Sequence, residues 1–436
     1  MDAAELKRLY EEHIAKLGAE YGRVLAEHGW DGVMLHSGTP KIRSMFDDQY
    51  WPLRATPHYQ HWVPLAHPEC GVLVQPGKKP VLYKNAKVDF WEQPMEPDSD
   101  HFWSSFEVVE LDDPDLVKEV RPQGKIAIIA EEPARARSWG FDETDRNPAA
   151  LLKALDKLRV RKTAYELACL REANRRTAQG HRAVLEAFRK GDHSELDLHL
   201  SFLGATGQDD AETPYKNIVA LGEHAATLHH VGYSRRREGA QALLLDAGAT
   251  YQGYAADVTR TAWKGSGEGV ELFGELVARL ERLQQEICRR VKPGIPYQQL
   301  HNEAHELLAP VLRDLGISKA SDAELVEKGI TRKFLPHGLG HSLGLQTHDV
   351  GCADVRPEAR NPFLRNTSIV EEEQVFTIEP GCYFIEPLLA SLRSEGAPID
   401  WKVVERLKRF GGVRIEDDLV VTKDGAVNLT REFLPT

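Results

Sequence analysis

The amino-acid sequence predicts an α+β chain, an N-terminal α/β domain over residues 1–160 followed by a larger α+β domain over 161–436. Three observations carry this. Helical and strand-like stretches alternate in the first part, long amphipathic helices stand apart from mainly antiparallel strands in the second, and 436 residues exceed one hydrophobic core.

In chain order, a charged amphipathic helix runs to about Ala26, and GVMLHSG, GVLVQP, PVLYK, EVVEL and KIAIIA then read as strands. From Arg161, RKTAYELACLREANRRTAQGHRAVLEAF repeats apolar residues at helical spacing, which places the domain boundary just before it. A further helix (SELDLHLSFLGATG), strands at NIVAL and ALLLDAG, and two long helices, Val270 to Val291 and Tyr297 to Leu315, precede a final group of strands.

A net charge of −12 and a pI near 5.9 disfavour binding to phosphate backbones, so no nucleic-acid partner is expected. No run of about 18 apolar residues occurs and the N-terminus lacks a signal-type core, so neither a membrane partner nor export is expected. Five cysteines without a CxxC pair fit a reduced, cytoplasmic setting.

The segment ALLLDAGATYQGYAADVTRT holds two apolar strand-like runs joined by a glycine-containing turn, and each run carries an acid. With the turn centred on Tyr251 and Gln252, Asp246 is expected directly opposite Asp257. Two carboxylates facing each other on buried strands repel, so a shared proton or a divalent cation must neutralise them. Three further segments offer donors: HGLGHSLGLQTHD has His337, His341 and His348, VFTIEPG has Glu379, and VRIEDDLVV has Glu416. Four carboxylates with an imidazole suit manganese, cobalt, iron or zinc, and their charge is enough for two divalent ions about 3.5 to 4 Å apart.

The ordered set LLLDAGA, AADVTRT, HGLGHSLGLQTHDVG, TIEPGCYFIE and GGVRIEDDLVV resembles the pita-bread metallopeptidases, which include methionyl aminopeptidase, aminopeptidase P and prolidase. HSG near His36, FDDQYWP, VDFW around Phe90 and NIVALGEHAATLHH extend the likeness over essentially the whole chain, in the manner of the bacterial Xaa-Pro dipeptidases, which are also similar to organophosphorus acid anhydrolases. The resemblance implies a pita-bread catalytic domain, an N-terminal domain that covers the active site and mediates dimerisation, and hydrolysis of Xaa-Pro dipeptides by a metal-bridged hydroxide. Activity on organophosphate triesters is a possible extra of that resemblance, and an aminopeptidase P-like activity on longer Xaa-Pro peptides is the alternative.

The resemblance also distributes roles. Asp257 and Glu416 would bridge two ions, Mn²⁺ by preference with Co²⁺, Zn²⁺ or Fe²⁺ as alternatives; Asp246 would chelate one, and His341 with Glu379 would complete the other. Glu379 would also shuttle a proton, His348 would steady the oxyanion, and His337 would line the pocket. Arg365, Arg414 and His229 would receive the proline carboxylate, with Tyr215 and Tyr297 lining the same space. Asp48, the second acid of FDD, would reach the active site of a partner chain and hold the substrate's free amine, which implies a homodimer. Thr347 stands where the relatives carry an aliphatic residue, and Ser342 follows His341, so substrate preference is the property most exposed to change.

Overall fold

Leu6, Tyr10, His13, Ile14, Leu17, Tyr21, Val24 and Leu25 recur at helical spacing and form the buried face of the helix Ala3–Glu27, whose first turn is capped by the Asp2 carboxylate on the Ala4 amide. The computed structural model describes residues 2–88, 90–91, 99–237, 239–353 and 355–435; Asp89 of the VDFW motif lies outside them. The chain divides into two compact units, Met1–Ala168 and Cys169–Thr436, with the division inside the helix Ala164–Lys190.

The first unit is built on a five-stranded mixed sheet of β1 (Gly32–His36), β2 (Gly71–Val74), β3 (Val81–Asn85), β4 (Glu107–Leu111) and β5 (Ile126–Ile129), in the order β4-β3-β2-β1-β5. β1 runs antiparallel to β2 and parallel to β5, so it is flanked on both edges, and it is buried at every position. Met34, Leu73, Ile126, Ile128 and Trp139 pack together on one side of this sheet. Gly71 is required there: a Cβ would stand 2.8 Å from the Trp139 ring and 2.9 Å from the Met34 sulfur.

The second unit follows the expected separation of helices and strands. β6 (Ile218–Leu221), β7 (Ala242–Asp246), the short pair β8 (Thr250–Tyr251) and β9 (Tyr254–Ala255), and β10 (Thr259–Trp263) come first; β11 (Val375–Ile378), β12 (Gly381–Tyr383), β13 (Gly412–Arg414), β14 (Asp417–Thr422) and β15 (Gly425–Asn428) close the chain. They pair antiparallel as β10-β7-β6, β11-β14-β15, β12-β13 and β8-β9. The helices Glu268–Arg290 and Tyr297–Asp314 bury Phe273, Leu276, Leu280, Leu300, Leu308 and Leu312 in the core that backs these strands. Single bridges from Thr259 to Glu416 and from Ser342 to Phe376 stitch the strand groups together, and both bridges fall beside candidate ligands.

The hairpin register differs from the expected one. Thr250 faces Ala255 and Tyr251 faces Tyr254, so the turn is Gln252-Gly253, both at positive φ (52° and 85°), as a tight hairpin turn demands. The ladder is thereby displaced by two residues, and Asp246 faces Thr259 rather than Asp257. Because side chains alternate with period two, a shift of two leaves both acids on one face.

Candidate metal centre

β7 lies between β6 and β10, which is why LLLD reads as an unbroken apolar run: every residue of Ala242–Asp246 is buried and the acid is its last. Asp257 follows β9, where Gly248 lets two backbones close; a Cβ on Gly248 would stand 2.0 Å from the Ala256 carbonyl oxygen. Asp418 fixes this corner, its Oδ2 accepting from the Asp257 amide at 3.1 Å and from Asn174 Nδ2 at 2.8 Å.

The HGLGH segment is extended. The Thr377 amide donates to the His341 carbonyl at 3.0 Å, and the Glu379 amide donates to the Leu339 carbonyl at 2.8 Å. Gly340 makes this contact possible, since a Cβ would stand 2.1 Å from the Thr377 carbonyl oxygen and 2.4 Å from the Tyr297 hydroxyl. Tyr297 is wholly buried in the core, and its hydroxyl donates to the Thr377 carbonyl at 2.8 Å, so it braces the strand that carries Glu379.

His341 and Glu379 therefore meet Asp257. His341 Nε2 is 3.4 Å from Asp257 Oδ2 and 3.7 Å from Glu379 Oε1, while His337 Nδ1 is 3.7 Å from Glu379 Oε2. Asp257, His341 and Glu416 each present a donor atom within 4.8 Å of the others. Thr259 Oγ1 donates to Glu416 Oε2 at 2.6 Å and accepts from Arg414 Nε at 3.2 Å. Arg414 Nη2 meets Asp246 Oδ2 at 2.6 Å, and Nη1 donates to the Tyr383 hydroxyl at 2.9 Å.

Tautomers follow from these partners. Nδ1 of His341 faces the Ser342 carbonyl at 3.1 Å and must donate, which leaves Nε2 directed at two carboxylates. Nδ1 of His337 likewise donates to the Gly338 carbonyl at 2.7 Å, and the Tyr383 hydroxyl, 2.8 Å away, then donates to Nε2. Burial, with Arg414 nearby, pushes His337 down to about 3, so it is neutral.

Burial dominates the acids. It raises Asp246, raises Glu379 to about 7 and carries Glu416 well above the carboxylate range, reinforced in each case by neighbouring acids. Burial also pushes Asp257 up, but the hydrogen bond and charge of His341 outweigh it and hold that carboxyl low. The converse holds for His341: burial lowers it, yet Asp257 and Glu379 lift it to about 9. Three buried carboxylates and the partly buried Glu379 thus face one imidazole and one guanidinium, and Asp246 Oδ1 is buried without a hydrogen-bond partner. A donor set of this kind fits divalent cations.

Around this centre, the His348 ring meets His341 edge-on at 4.4 Å and is pushed down to about 4 by burial and by His341. The Tyr215 hydroxyl is raised by burial and by Asp246, Asp257 and Glu416, which places it against the acids. His229 and Arg365 are exposed and near enough to His348 to act on it electrostatically. Asp48 lies in the first unit, exposed, with Gln49 Nε2 donating to it at 3.1 Å. Sequence reasoning missed Tyr383, Thr259 and Asp418, which position Arg414, Glu416 and Asp257; only the EDD run hinted at the last.

The model of metallopeptidase family M24 matches residues 168–423, and a model for the N-terminal domain of Xaa-Pro dipeptidase matches 8–156. The chain belongs to the metallopeptidase family M24. This M24 peptidase is 41% identical to the Xaa-Pro dipeptidase of Pseudoalteromonas haloplanktis over 99% of both chains, and 40% identical to that of Marinobacter nauticus over 99% of this chain and 100% of the relative. Its fold is that of aminopeptidase P from Escherichia coli with the inhibitor Pro-Leu (TM-score 0.75, 22% identity, 100% of this chain and 96% of that one) and of proline aminopeptidase P II from Yersinia pestis (TM-score 0.71, 23% identity, 99% and 97%). Among the described residues, no helix is long and apolar enough to cross a membrane.

Proposed function

We propose that this M24 metallopeptidase hydrolyses Xaa-Pro dipeptides at a dinuclear centre held by Asp246, Asp257, His341, Glu379 and Glu416. The observation that supports it is the convergence of Asp257, Glu379 and Glu416 on His341, whose Nε2 lies 3.4 Å from Asp257 Oδ2 and 3.7 Å from Glu379 Oε1. Two divalent ions, by preference Mn²⁺ because the donors are mostly hard oxygens, would lower the pKa of a water and polarise the scissile carbonyl.

The chain's own residues supply the rest. Glu379, partly buried with its Oε1 3.7 Å from His341 Nε2 and its Oε2 3.7 Å from His337 Nδ1, is the carboxylate placed to pass a proton. His348, neutral beside His341, offers a ring N–H to a developing oxyanion. Arg414 is fully engaged by Asp246, Tyr383 and Thr259, so its part is to hold the carboxylates, whereas exposed Arg365 and His229 are the groups available to a proline carboxylate.

The relatives named Xaa-Pro dipeptidase support the dipeptide reading. We further propose a cytoplasmic homodimer in which Asp48 of the partner subunit holds the substrate amine; Met45, Phe46 and Trp51 beside it are 82%, 90% and 56% exposed, an apolar surface suited to an interface. Turnover of an Xaa-Pro dipeptide and an Xaa-Pro-Yaa tripeptide by the Mn²⁺-loaded chain tests the reading. Faster dipeptide cleavage is expected; cleavage of the tripeptide alone would overturn it in favour of an aminopeptidase P-type activity.

A further inference from the structure

A second group of metal-type donors, sharing no residue with the acid centre, is formed at the start of the helix Glu195–Thr206 and the loop that follows β6. Glu195 is completely buried. Its Oε1 accepts from the Leu221 amide at 3.0 Å and from His224 Nδ1 at 2.6 Å; its Oε2 accepts from the Ser234 amide at 2.8 Å and from His230 Nε2 at 2.9 Å. The two imidazoles stack at 4.5 Å with 26° between planes, and one donor atom from each of the three residues lies within 4.8 Å of the others.

We propose that Glu195, His224 and His230 form a binding site for a borderline divalent cation of the zinc type, with no ligand in common with the acid-rich centre. Two imidazoles and one carboxylate are a zinc donor set, whereas the acid centre, with four carboxylates to one imidazole, is a harder one. The carboxylate is pre-positioned: its two backbone N–H bonds do not involve the histidines and persist if both rings turn to a metal. Tetrahedral zinc with bonds of about 2.0–2.1 Å sets donors about 3.3 Å apart, so each ring need retreat from the carboxylate by less than about 1 Å.

Proton balance is also met. A carboxylate can only accept, so His224 Nδ1 and His230 Nε2 now carry their protons; each neutral ring frees that nitrogen by moving its proton to the other. The way in is open, because the His224 side chain is 50% exposed and that of His230 17%. A water completes the fourth position.

The proposal does not depend on the reading of the acid centre, and its test does not use activity. The Mn²⁺-loaded full chain is treated with diethylpyrocarbonate with and without Zn²⁺, and modified histidines are mapped by mass spectrometry. Zn²⁺ is expected to suppress modification of His224 and His230 by about tenfold or more, as occupancy of a site protects its ligands. After Zn²⁺ saturation and desalting, the wild type is expected to retain one zinc more than the His224→Ala and His230→Gln variants. His224 is half-exposed and its loss leaves the backbone bonds of Glu195 in place, so His224→Ala is expected to lose zinc while still melting cooperatively, with a modest drop in midpoint from the missing bond to Glu195. Equal modification of both histidines with and without Zn²⁺, or the same stoichiometry in variants and wild type, overturns the proposal.

Discussion

Arg414 reaches Asp246 with Nη2 2.6 Å from Oδ2, and the same guanidinium holds the Tyr383 hydroxyl and Thr259 Oγ1. Among the described residues it is the arginine paired with the acid cluster, and it lies at the end of β13, buried. Three elements therefore depend on one planar fork: β7 through Asp246, β10 through Thr259 and β12 through Tyr383.

Replacing Arg414 with Met removes that charge while leaving its partner Asp246 buried beside Asp257 and Glu416. Breaking a buried pair in this way costs about 3–5 kcal/mol, and urea denaturation of metal-free protein is expected to read a loss of that size. Arg414→Lys keeps the charge but loses the three-way fork, so an intermediate loss is expected. If Arg414→Met denatures at the wild-type midpoint, the acids do not share Arg414 as their counter-charge.

The Glu379 carboxyl, raised to about 7, gives the metal-free protein a pH signature. A raised folded pKa contributes stability that is complete below the ordinary value of about 4.5 and is lost as pH rises through about 7. Glu379→Gln mimics the protonated form at every pH. Without metal, the variant is therefore expected to gain on the wild type by about 3 kcal/mol between pH 4.5 and 8. With metal added the order reverses, because the variant lacks a ligand charge. Parallel stability profiles of the two metal-free proteins would remove Glu379 from the buried cluster.

Much of this was legible in the sequence, and the exceptions have physical causes. Apolar runs ending in an acid, LLLD, VFTIE and VRIE, show both the strand and the misplaced charge, because a buried carboxylate without a counter-ion is too costly to be incidental. The register of Asp246 was not legible, since placing the turn at Tyr251-Gln252 or at Gln252-Gly253 depends on a positive φ at Gln252 that an ordinary side chain does not announce. Tyr383 and Thr259 were also hidden: their hydroxyls act through hydrogen bonds across strands distant in sequence, and nothing in GCYF or DVTRT marks them. The resemblance assigns Arg414 to the substrate carboxylate; its bond to Asp246, across strands far apart in sequence, carries no local signal.

Thr259 donates to Glu416 Oε2 at 2.6 Å, fixing which lone pairs that carboxylate can offer elsewhere. Thr259→Val preserves shape and removes the hydroxyl. Metal affinity is expected to fall about 10–100-fold, as for other groups that orient a ligand, with the fold intact. Isothermal titration with Mn²⁺ reads this, and an unchanged affinity would make the hydroxyl a bystander. Asp257→Asn, which alters a donor itself, is expected to weaken binding by more than about 100-fold and to abolish dipeptide turnover.

Gly340 sets how closely HGLGH approaches β11. The nearest atoms to a Cβ at this position are the Thr377 carbonyl oxygen at 2.1 Å, the Tyr297 hydroxyl at 2.4 Å and Thr377 Oγ1 at 2.7 Å. The first is backbone in a paired strand and cannot rotate away. The second is itself bonded to that carbonyl, so it cannot retreat without breaking its bond. Gly340→Ala must therefore part the two segments, and with them the His341–Thr377 and Leu339–Glu379 backbone bonds that hold two candidate ligands 3.7 Å apart. Overpacking costs about 1–3 kcal/mol and two backbone bonds about 1 kcal/mol each, so a loss of about 3–5 kcal/mol is expected. Tyr297→Phe combined with Gly340→Ala relieves only the hydroxyl clash, so the double variant should recover part of the stability but little metal binding. Full recovery of both by that second change would show that the hydroxyl, and not the strand, is what Gly340 accommodates.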